Sequence, residues 1–268
     1  MSYGYGPQPT NPQNPNAVLR SSEFGPAVLN AVRDARLRGY LVGKSVPWDA
    51  VDLPLVTSLP QSPQDRAEVN YLIDETNEVV VRMVYRASTG NWVQVGAYPT
   101  VTTLPSVTTE GFQIIYDTGT AGVRWQFVYD SSDGTTYPWL FIGGPDLYAA
   151  VNTEEGTGSG TYADLATSGP AITIPLAGDY DVRIEAQFNQ SNVDFAIMSY
   201  DIGATGAVDA DNVSTSFNSA NERQHCGRTQ RKTAIAAATA LTAKYRRGGG
   251  GTATFALRTI HATPVRVG

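Results

Sequence analysis

An internal repeat constrains the fold of this 268-residue chain more than any other feature of its sequence. The pentapeptide VTSLP at residues 56–60 is echoed by VTTLP at residues 101–105. Each copy continues with a short apolar strand ending in an acid (YLID, IIYD), a strand with a Val-Tyr pair (VVVRMVY, VRWQFVY) and a tryptophan strand (WVQVG, WLFIG). The gaps that the alignment of residues 56–99 with 101–145 needs fall in the turns, which indicates a tandem duplication.

The repeated unit predicts a small β module. A self-similar period of roughly 20–50 residues is typical of stacked or serial modules, and each copy predicts three short strands joined by turns. Units this short are at the size limit for folding alone, so we expect them to pack on each other or on copies of themselves. The matched positions are Trp92 with Trp139, Tyr85 with Tyr129, and Gly96 with Gly143. Because Trp92, Trp125 and Trp139 lie within apolar strands, we predict core residues rather than carbohydrate platforms.

The last part of the chain predicts a separate β domain. The segment GTGSGTY at residues 156–162 reads as a flexible joint. Alternation of apolar and polar residues predicts strands beyond it, at Ala171–Pro175, Tyr180–Asn189, Asp194–Tyr200, Leu241–Arg247 and Thr252–Thr263. Residues 233–245 are rich in alanine, which favours helix, but they also alternate, and we predict a strand from residue 239 onward. Several short antiparallel strands with long loops predict a β-sandwich that resembles a jelly roll.

The N-terminal region predicts an extended arm followed by a short helix. Residues 1–20 are rich in Pro, Asn, Gln and Gly and have too little apolar surface to order by themselves. Residues 25–40 predict a helix with one apolar stripe, formed by Val28, Leu29, Val32 and Ala35. Such a short helix is marginal in water, so it either covers the local core or docks at an oligomer or anchoring interface. The first residues contain neither the charged nor the apolar region of a secretory signal, so we expect synthesis in a cytoplasm.

Charge is unevenly distributed along the chain. Residues 1–220 hold 10 Lys and Arg against 24 Asp and Glu, whereas residues 221–268 hold nine basic residues against one acid. One interpretation is contact with an anionic polymer, for which the candidate residues are Arg228, Arg231, Lys232, Arg246 and Arg247. The other is that the basic segment packs beside acidic strands of its own or a neighbouring subunit. The acidic chain as a whole argues against nucleic acid, and no apolar stretch is long enough to predict membrane insertion.

No pattern in the sequence predicts catalysis. A nucleophile elbow, a zinc-protease helix, a phosphate-binding loop and a dinucleotide fingerprint are all missing. One cysteine and two histidines make an intrachain disulfide, a metal site and a Ser-His-Asp triad poor interpretations. Paired carboxylates of a glycoside hydrolase remain open, because any two acids can meet in a fold. We therefore predict no enzyme activity, no catalytic residues, no bound metal and no cofactor.

The second repeat resembles a module of bacteriophage proteins. The stretch VTTLPSVTTEGFQIIYDTGTAGVRWQFVYDSSDGTTYPWLFIGGPDLYA resembles a module of minor tail and head-fibre proteins from long-tailed phages, notably those of actinobacteria. The residues that carry the resemblance are Gly111, Ile115, Trp125, Tyr129, Trp139, Phe141, Gly143, Gly144 and Pro145. TYADLATSGPAITIPLAGDYDVRIEA and ALTAKYRRGGGGTATFALRTIHATPVRV resemble the opening and close of that family's terminal sandwich. The first repeat departs from the pattern, with Val81 for the first tryptophan and Gly96-Ala97 for Gly-Gly.

The resemblance covers residues 51–268 and implies a virion structural protein. Together with the residue patterns, it predicts a mainly β chain with an arm and anchoring helix at 1–50, β modules at 51–100 and 101–150, and an antiparallel sandwich at 157–268. The expected function is a minor tail or fibre and spike component, held in the virion by its N-terminal region, that presents the sandwich for host attachment. A homotrimer and contacts to tail or capsid proteins, and to host cell-surface polymer, are the expected partners. Alternatives are a capsid head fibre or decoration protein, a cell-wall depolymerase and a non-viral surface-binding module.

Overall fold

The protein is built almost entirely from β-strands. The computed structural model describes residues 53–74, 79–106, 109–132, 134 and 136–268, and the predicted mainly β class is confirmed. The predicted arm and the helix with Val28, Leu29, Val32 and Ala35 lie outside the described residues. The chain divides into two compact units, Met1–Pro99 and Thr100–Gly268.

The first unit contains one small mixed sheet in its described residues. Its strands are β1 (Leu55–Val56), β2 (Glu68–Asp74), β3 (Val79–Arg86) and β4 (Asn91–Val95). They pair in the order β1-β2-β3-β4. Strands β2, β3 and β4 form an antiparallel meander, and β1 adds to β2 in the parallel direction. The described residues of the first repeat therefore contain the three predicted strands and one short additional strand.

The second repeat folds in the same way. Its strands are β5 (Thr100–Val101), β6 (Gln113–Asp117), β7 (Arg124–Tyr129) and β8 (Trp139–Gly143). Again the last three form an antiparallel meander and the first pairs in parallel with its neighbour. The registers also match, because Tyr85 pairs with Trp92 as Tyr129 pairs with Trp139. In both pairs the rings are in contact, with centroids 5.6 and 5.4 Å apart. The two repeats therefore share strand order and register.

The two modules share a burial pattern but differ in the size of their cores. The three tryptophan side chains at 92, 125 and 139 are buried, so their prediction as core residues is confirmed. Val81 occupies the position of Trp125, because Val81 pairs with Tyr71 as Trp125 pairs with Tyr116. The two tyrosines are equivalent, since each pairs with the first valine of its repeat. The Trp125 ring also lies 6.3 Å from the ring of Tyr180 in the following domain. In the second module this larger side chain fills space against a domain that follows it.

Close packing around Trp125 explains Gly144, the second of the two glycines that end the second module. The backbone of Gly144 has a φ of +132°, and a Cβ there would collide with the carbonyl of Arg124 and with Trp125. The indole N–H of Trp125 donates to the carbonyl of Pro145 at 2.8 Å. Only glycine therefore permits the chain to pass this close to the indole. The first module has the small Val81 at the indole's position and Ala97 in place of Gly144.

The last strands form a two-sheet jelly roll. They are β9 (Leu147–Val151), β10 (Glu155–Thr157), β11 (Ala171–Thr173), β12 (Gly178–Gln190), β13 (Phe195–Ile202), β14 (Val213–Ser216), β15 (Arg223–Ile235), β16 (Ala240–Arg247) and β17 (Ala253–Val267). One sheet has the order β15-β12-β17 with β9 and β10 on the far side of β17, and the other has the order β11-β16-β13-β14. This is the strand order of a jelly roll with two Greek keys. The predicted sandwich is confirmed.

Alternating apolar residues from both sheets form the core of the sandwich. On β12 the inward face consists of Tyr180, Val182, Ile184, Ala186 and Phe188, all essentially without solvent exposure. They face inward residues of the second sheet, namely Met198, Tyr200, Leu241, Ala243 and Tyr245. This is the two-residue period expected of strands with one buried face. Polar residues of β16 therefore point outward, on the face of the β11-β16-β13-β14 sheet that is turned away from the core.

The second module and the sandwich share one continuous sheet. The end of β17 pairs with β8, with Arg266 opposite Leu140 and Val267 opposite Trp139. Both segments belong to the unit Thr100–Gly268. This arrangement differs from the predicted separation of residues 101–150 from 157–268. Sequence patterns show where strands begin and end, but not that the last strand returns to extend an earlier module.

Four strands of the sandwich, β9, β10, β14 and β15, were not predicted, and β15 is the longest of them. The predicted strand from residue 239 corresponds to β16, and a turn at residues 236–239 precedes it. Before that turn, β15 runs for 13 residues from Arg223 to Ile235 at the edge of its sheet. Most of its residues are polar on both faces, so it lacks the alternation that identifies a half-buried strand.

The repeat also leads to a prediction on backbone strain. Arg66 has a φ of +62°, and its counterpart Gly111 has +78°. Both N–H groups donate to the carbonyl of the matched tyrosine, Tyr85 or Tyr129, at 2.9 Å. A left-handed conformation costs a non-glycine residue roughly 1–2 kcal/mol, and glycine's entropy offsets roughly 0.5–1 kcal/mol of the gain.

We expect Arg66→Gly to stabilise the first module by about 0.5–1 kcal/mol. Slower amide hydrogen exchange in β2 and β3, measured by mass spectrometry, would report this gain. Arg66→Ala is the matched control, because it removes the same exposed side chain but keeps the strain. Equal protection in the two variants would show that the conformation carries no strain.

Candidate functional site

The basic residues of the last 48 positions are engaged within the chain. All nine have a polar partner in the structure, seven of them a carboxylate. The carboxylate pairs are Arg223–Glu154, Arg231–Asp181, Lys232–Asp211, Lys244–Asp164, Arg246–Asp209, Arg258–Glu155 and Arg266–Asp130. The acidic partners come from residues 130–211. The uneven charge along the sequence is thus balanced by pairing between β-strands and loops of one unit.

The five predicted polymer contacts are distributed over two strands. Arg228, Arg231 and Lys232 lie on β15, where Arg228 donates to the carbonyl of Asn212 at 2.8 Å. Arg231 makes a two-pronged pair with Asp181, at 2.6 and 3.0 Å, on the opposite face of the strand. Arg246 and Arg247 lie on β16 of the other sheet. Of the five, only Arg246 lines the pocket described next.

An open polar pocket lies on the outer face of the β11-β16-β13-β14 sheet of the jelly roll. Its volume is about 960 Å³, which is within the range of ligand-binding pockets. The floor is formed by Lys244 and Arg246 of β16, whose neighbours Ala243 and Tyr245 point into the core. The walls are residues 160–164, which run beside β16, and residues 206–209, which follow β13.

Two neighbouring clusters of charged side chains form the floor of this polar pocket. Lys244 Nζ lies 2.8 Å from Asp164 Oδ2 and 3.3 Å from Asp201 Oδ2. Beside it, Arg246 donates to Asp209 Oδ1 at 2.7 Å, and the Tyr162 hydroxyl donates to the same oxygen at 2.7 Å.

The Arg246 guanidinium also stacks over the Tyr162 ring, 5.1 Å from its centroid, in cation–π geometry. The cations therefore hold the loops of the pocket in place.

The carboxylates of the polar pocket are more exposed than its cations. The side chain of Lys244 is 17% exposed and that of Arg246 is 19% exposed, whereas Asp209 is 67% exposed. Three carboxylates face two cations, so the formal charge of the lining is −1. A ligand entering the pocket meets mainly carboxylate oxygens, and each carboxylate has more acceptor sites than its present partners use.

Hydrogen bonds keep the acidic and the basic side chains of the polar pocket ionised. The hydrogen bonds from Arg246 and Tyr162 lower the pKa of Asp209 below its ordinary value. Burial by itself lowers the pKa of Lys244, but the hydrogen bond to Asp164 and the attraction of Asp164 and Asp201 outweigh it and raise this pKa. Burial and the nearby Asp209 raise the pKa of Tyr162, so its phenol keeps its proton.

The pocket suits recognition of hydroxyl groups. Carboxylate oxygens accept from hydroxyl donors, and the guanidinium and ammonium groups donate to hydroxyl oxygens. An anionic ligand would meet carboxylates before reaching the half-buried cations.

Sequence reasoning found one lining residue of the polar pocket, Arg246, and missed Tyr162, Asp164, Asp201, Asp209 and Lys244. These residues come from four separate segments, so no local motif contains them.

Other kinds of site are not evident in the described residues. Within them, no three His, Cys, Asp or Glu side chains are grouped in a way that could hold a metal ion. No helix in the described part of the chain is both long and apolar enough to cross a membrane.

Comparisons with known proteins yield only weak structural similarity. No family model and no curated protein matches the chain. An Eiger TNF from S. frugiperda is 13% identical, with a TM-score of 0.34, over 46% of this chain and 94% of that one. The C-terminal CBM6 of LamC, a marine laminarinase from Zobellia galactanivorans, is 17% identical, with a TM-score of 0.27, over 44% of this chain and 99% of that one.

A chain in a structure of infectious bursal disease virus, Gx strain, is 10% identical, with a TM-score of 0.27, over 70% of this chain and 65% of that one. All three TM-scores are below 0.5, so we base no functional argument on these similarities.

Proposed function

We propose that this chain is a structural component of a bacteriophage virion, a minor tail or fibre and spike protein. In this proposal the N-terminal region anchors the chain in the particle and the jelly roll is presented for host attachment. The observation that supports it best is the serial arrangement of two copies of one module, the second of which extends a sheet of a terminal jelly roll. The resemblance of residues 51–268 to phage tail and fibre modules agrees with this architecture.

A homotrimer is part of the proposal. The first unit exposes several large apolar side chains to solvent, namely Leu55, Val80, Val95 and Tyr98. Its core is built from smaller residues than that of the second module. Burying such surface against neighbouring copies would add to the stability of a small module.

We further propose that the chain acts by binding and not by catalysis. A general acid at neutral pH needs a raised carboxyl pKa, whereas the pKa of Asp209 in the polar pocket is lowered. Lys244 is paired with two carboxylates and its pKa is raised, which makes it a poor nucleophile. The polar pocket is the proposed contact for neutral, hydroxyl-rich groups of a host surface.

Labelling of virions tests the proposed location. Purified particles would be treated with antibody against the recombinant chain and imaged by electron microscopy. Label at the tail tip supports the minor tail or fibre assignment, and label on the head supports the capsid head-fibre alternative. Absence of the chain from purified particles would overturn the proposal of a virion protein.

Binding to purified host cell-wall polysaccharide tests the role of the polar pocket. We expect Arg246→Ala to weaken binding about tenfold or more, because it removes a donor and releases Asp209 and Tyr162 from their positions. That loss corresponds to roughly 1.4 kcal/mol. Binding of the wild-type chain should change little with added salt, because the proposed ligand is neutral.

Arg231→Ala is the matched control, since it removes the same charge from a strand outside the polar pocket. A larger loss in Arg231→Ala, together with binding that falls steeply with salt, would instead favour contact between β15 and an anionic polymer. Equal binding by all three proteins would show that neither surface contributes.

A further inference from the structure

The outer edge of β4 in the first module has the same position as the edge of β8 that receives the last strand of the chain. The backbone of Tyr85 forms its hydrogen bonds on the side of β3 that faces β2. Its N–H donates to the carbonyl of Ala67, and its carbonyl accepts from the N–H of Arg66. Its cross-strand partner Trp92 therefore points its own N–H and carbonyl away from β3. Among the described residues no strand pairs with that edge.

The second module demonstrates how this edge can be occupied. There the N–H and carbonyl of Tyr129 bond to Phe112 and Gly111 in the same manner, so the backbone of Trp139 faces outward. The antiparallel end of β17 fills the edge, with Val267 opposite Trp139. Val267 is fully buried. The buried side chain of Val267 and the backbone hydrogen bonds between β17 and β8 thus occupy this edge.

A charge pair secures the strand in the second module. Arg266 precedes Val267 and donates to Asp130 twice, to its carbonyl at 2.9 Å and to its carboxylate at 2.8 Å. Asp130 directly follows Tyr129, and its N–H bonds to the carbonyl of Pro138, the residue before Trp139. The pair therefore lies at the end of the β7–β8 ladder.

The first module has the opposite charge at this position. Arg86 follows Tyr85 as Asp130 follows Tyr129, and it pairs with Asn91, the residue before Trp92. Its side chain is exposed and has no charged partner within the described residues. A strand with the sequence of this chain's own C-terminus would place an arginine against Arg86, which like-charge repulsion disfavours. In the second unit that C-terminal strand is already paired.

We propose that the outer edge of β4 binds an extended, antiparallel segment of a different protein, in which Asp or Glu is followed by an apolar residue. The apolar residue takes the place of Val267 beside Trp92, and the acid takes the place of Arg266 and pairs with Arg86. Addition of a strand to an exposed sheet edge is a general mode of peptide recognition, in which backbone bonds supply affinity and side chains supply specificity. This inference does not depend on the proposed virion location.

Two synthetic peptides that differ in one charge test the proposal. One is ATPVRVG, the sequence of residues 262–268, and the other is ATPVDVG. Each is titrated into the full-length, ¹⁵N-labelled chain while amide shifts of β4 are followed by NMR. We expect ATPVDVG to bind about five- to tenfold more tightly, the size of a cross-strand charge reversal.

An Arg86→Asp variant should reverse this preference, so that ATPVRVG becomes the tighter ligand. An ATPVDVG peptide with an N-methyl group on its last valine should bind at least about fivefold more weakly, because it lacks the N–H that pairs with Trp92. Amide shifts that change only near residue 86 and its strand neighbours would show that the variant is folded. The proposal is wrong if neither peptide shifts the β4 amides at millimolar concentration, or if the preference is the same with Asp at position 86.

Discussion

Replacement of Trp125 by alanine should lower the free energy of unfolding of the second unit by about 3–5 kcal/mol, the range for removal of a large aromatic from a core. The indole has no solvent exposure. It contacts three other aromatic rings, those of Tyr116, Phe127 and Tyr180, at centroid distances of 6.1–6.5 Å. Its removal also leaves the carbonyl of Pro145 without its hydrogen bond.

Urea unfolding followed by circular dichroism, with hydrogen exchange to locate the change, would measure this loss. Because Tyr180 belongs to the sandwich, we expect reduced protection in β12 as well as in β6 and β7. The matched control is Trp92→Ala in the first module, where no reduced protection of β12 is expected. A loss below about 1 kcal/mol in Trp125→Ala would mean that the cavity collapses and that the ring does not hold the second module against the sandwich.

Replacement of Arg258 by methionine should lower the free energy of unfolding by about 1–3 kcal/mol, because it leaves the half-buried Glu155 and two loop carbonyls without the donor that they share. Arg258 has no solvent exposure, although its chain neighbour Leu257 is exposed. Leu257 has a φ of +49°, and the β12–β17 register shifts at this point, so a bulge turns the arginine inward. The guanidinium stacks over Tyr245, 5.3 Å from the ring centroid.

Its hydrogen bonds tie together the segment between β9 and β11. The guanidinium donates to the carbonyls of Thr153 and Thr167 at 3.3 Å and to Glu155 at 3.2 Å. Glu155 in turn accepts from the N–H and hydroxyl of Thr167. Those bonds from Thr167, and the attraction of Arg258, lower the pKa of Glu155.

The loss in Arg258→Met would be measured by chemical denaturation at neutral pH. Arg231→Met is the matched control, since its pair with Asp181 is exposed and should contribute no more than about 1 kcal/mol. The double variant Arg258→Met with Glu155→Leu should recover part of the loss, because it no longer leaves a carboxylate without its cation. A single variant as stable as the control would contradict a structural role for Arg258.

The repeat and its aromatic residues were predictable because they depend on local patterns. Trp92 and Trp139 lie in short apolar strands that both repeats contain, and the burial of both agrees with the prediction. The class of the C-terminal domain was predictable for the same reason, since β12 alternates between apolar and polar residues over its whole length.

The role of the basic segment was not predictable from sequence, because it depends on which acidic residues the fold brings near. Both interpretations were open, and the structure places a polar partner beside each of the nine basic residues. Contact with an anionic polymer stays a prediction for Arg228, Arg231, Lys232, Arg246 and Arg247. The strand β15, which carries three of them, was missed for a related reason. Its inward side chains end at the edge of the sandwich and bond to loop carbonyls, as Arg228 and Gln230 do, so they need not be apolar.

The sequence by itself determined the number and order of the modules, the core tryptophans and the mainly β class, because strand patterns and repeats are properties of neighbouring residues. Only the tertiary structure decided that β17 returns to complete the second module, that the basic residues pair with acidic residues of distant loops and strands, and that the polar pocket exists. Each of these features joins residues that are far apart in the chain. Such contacts form only when hydrophobic burial brings distant strands together, and no local pattern records which strands will meet.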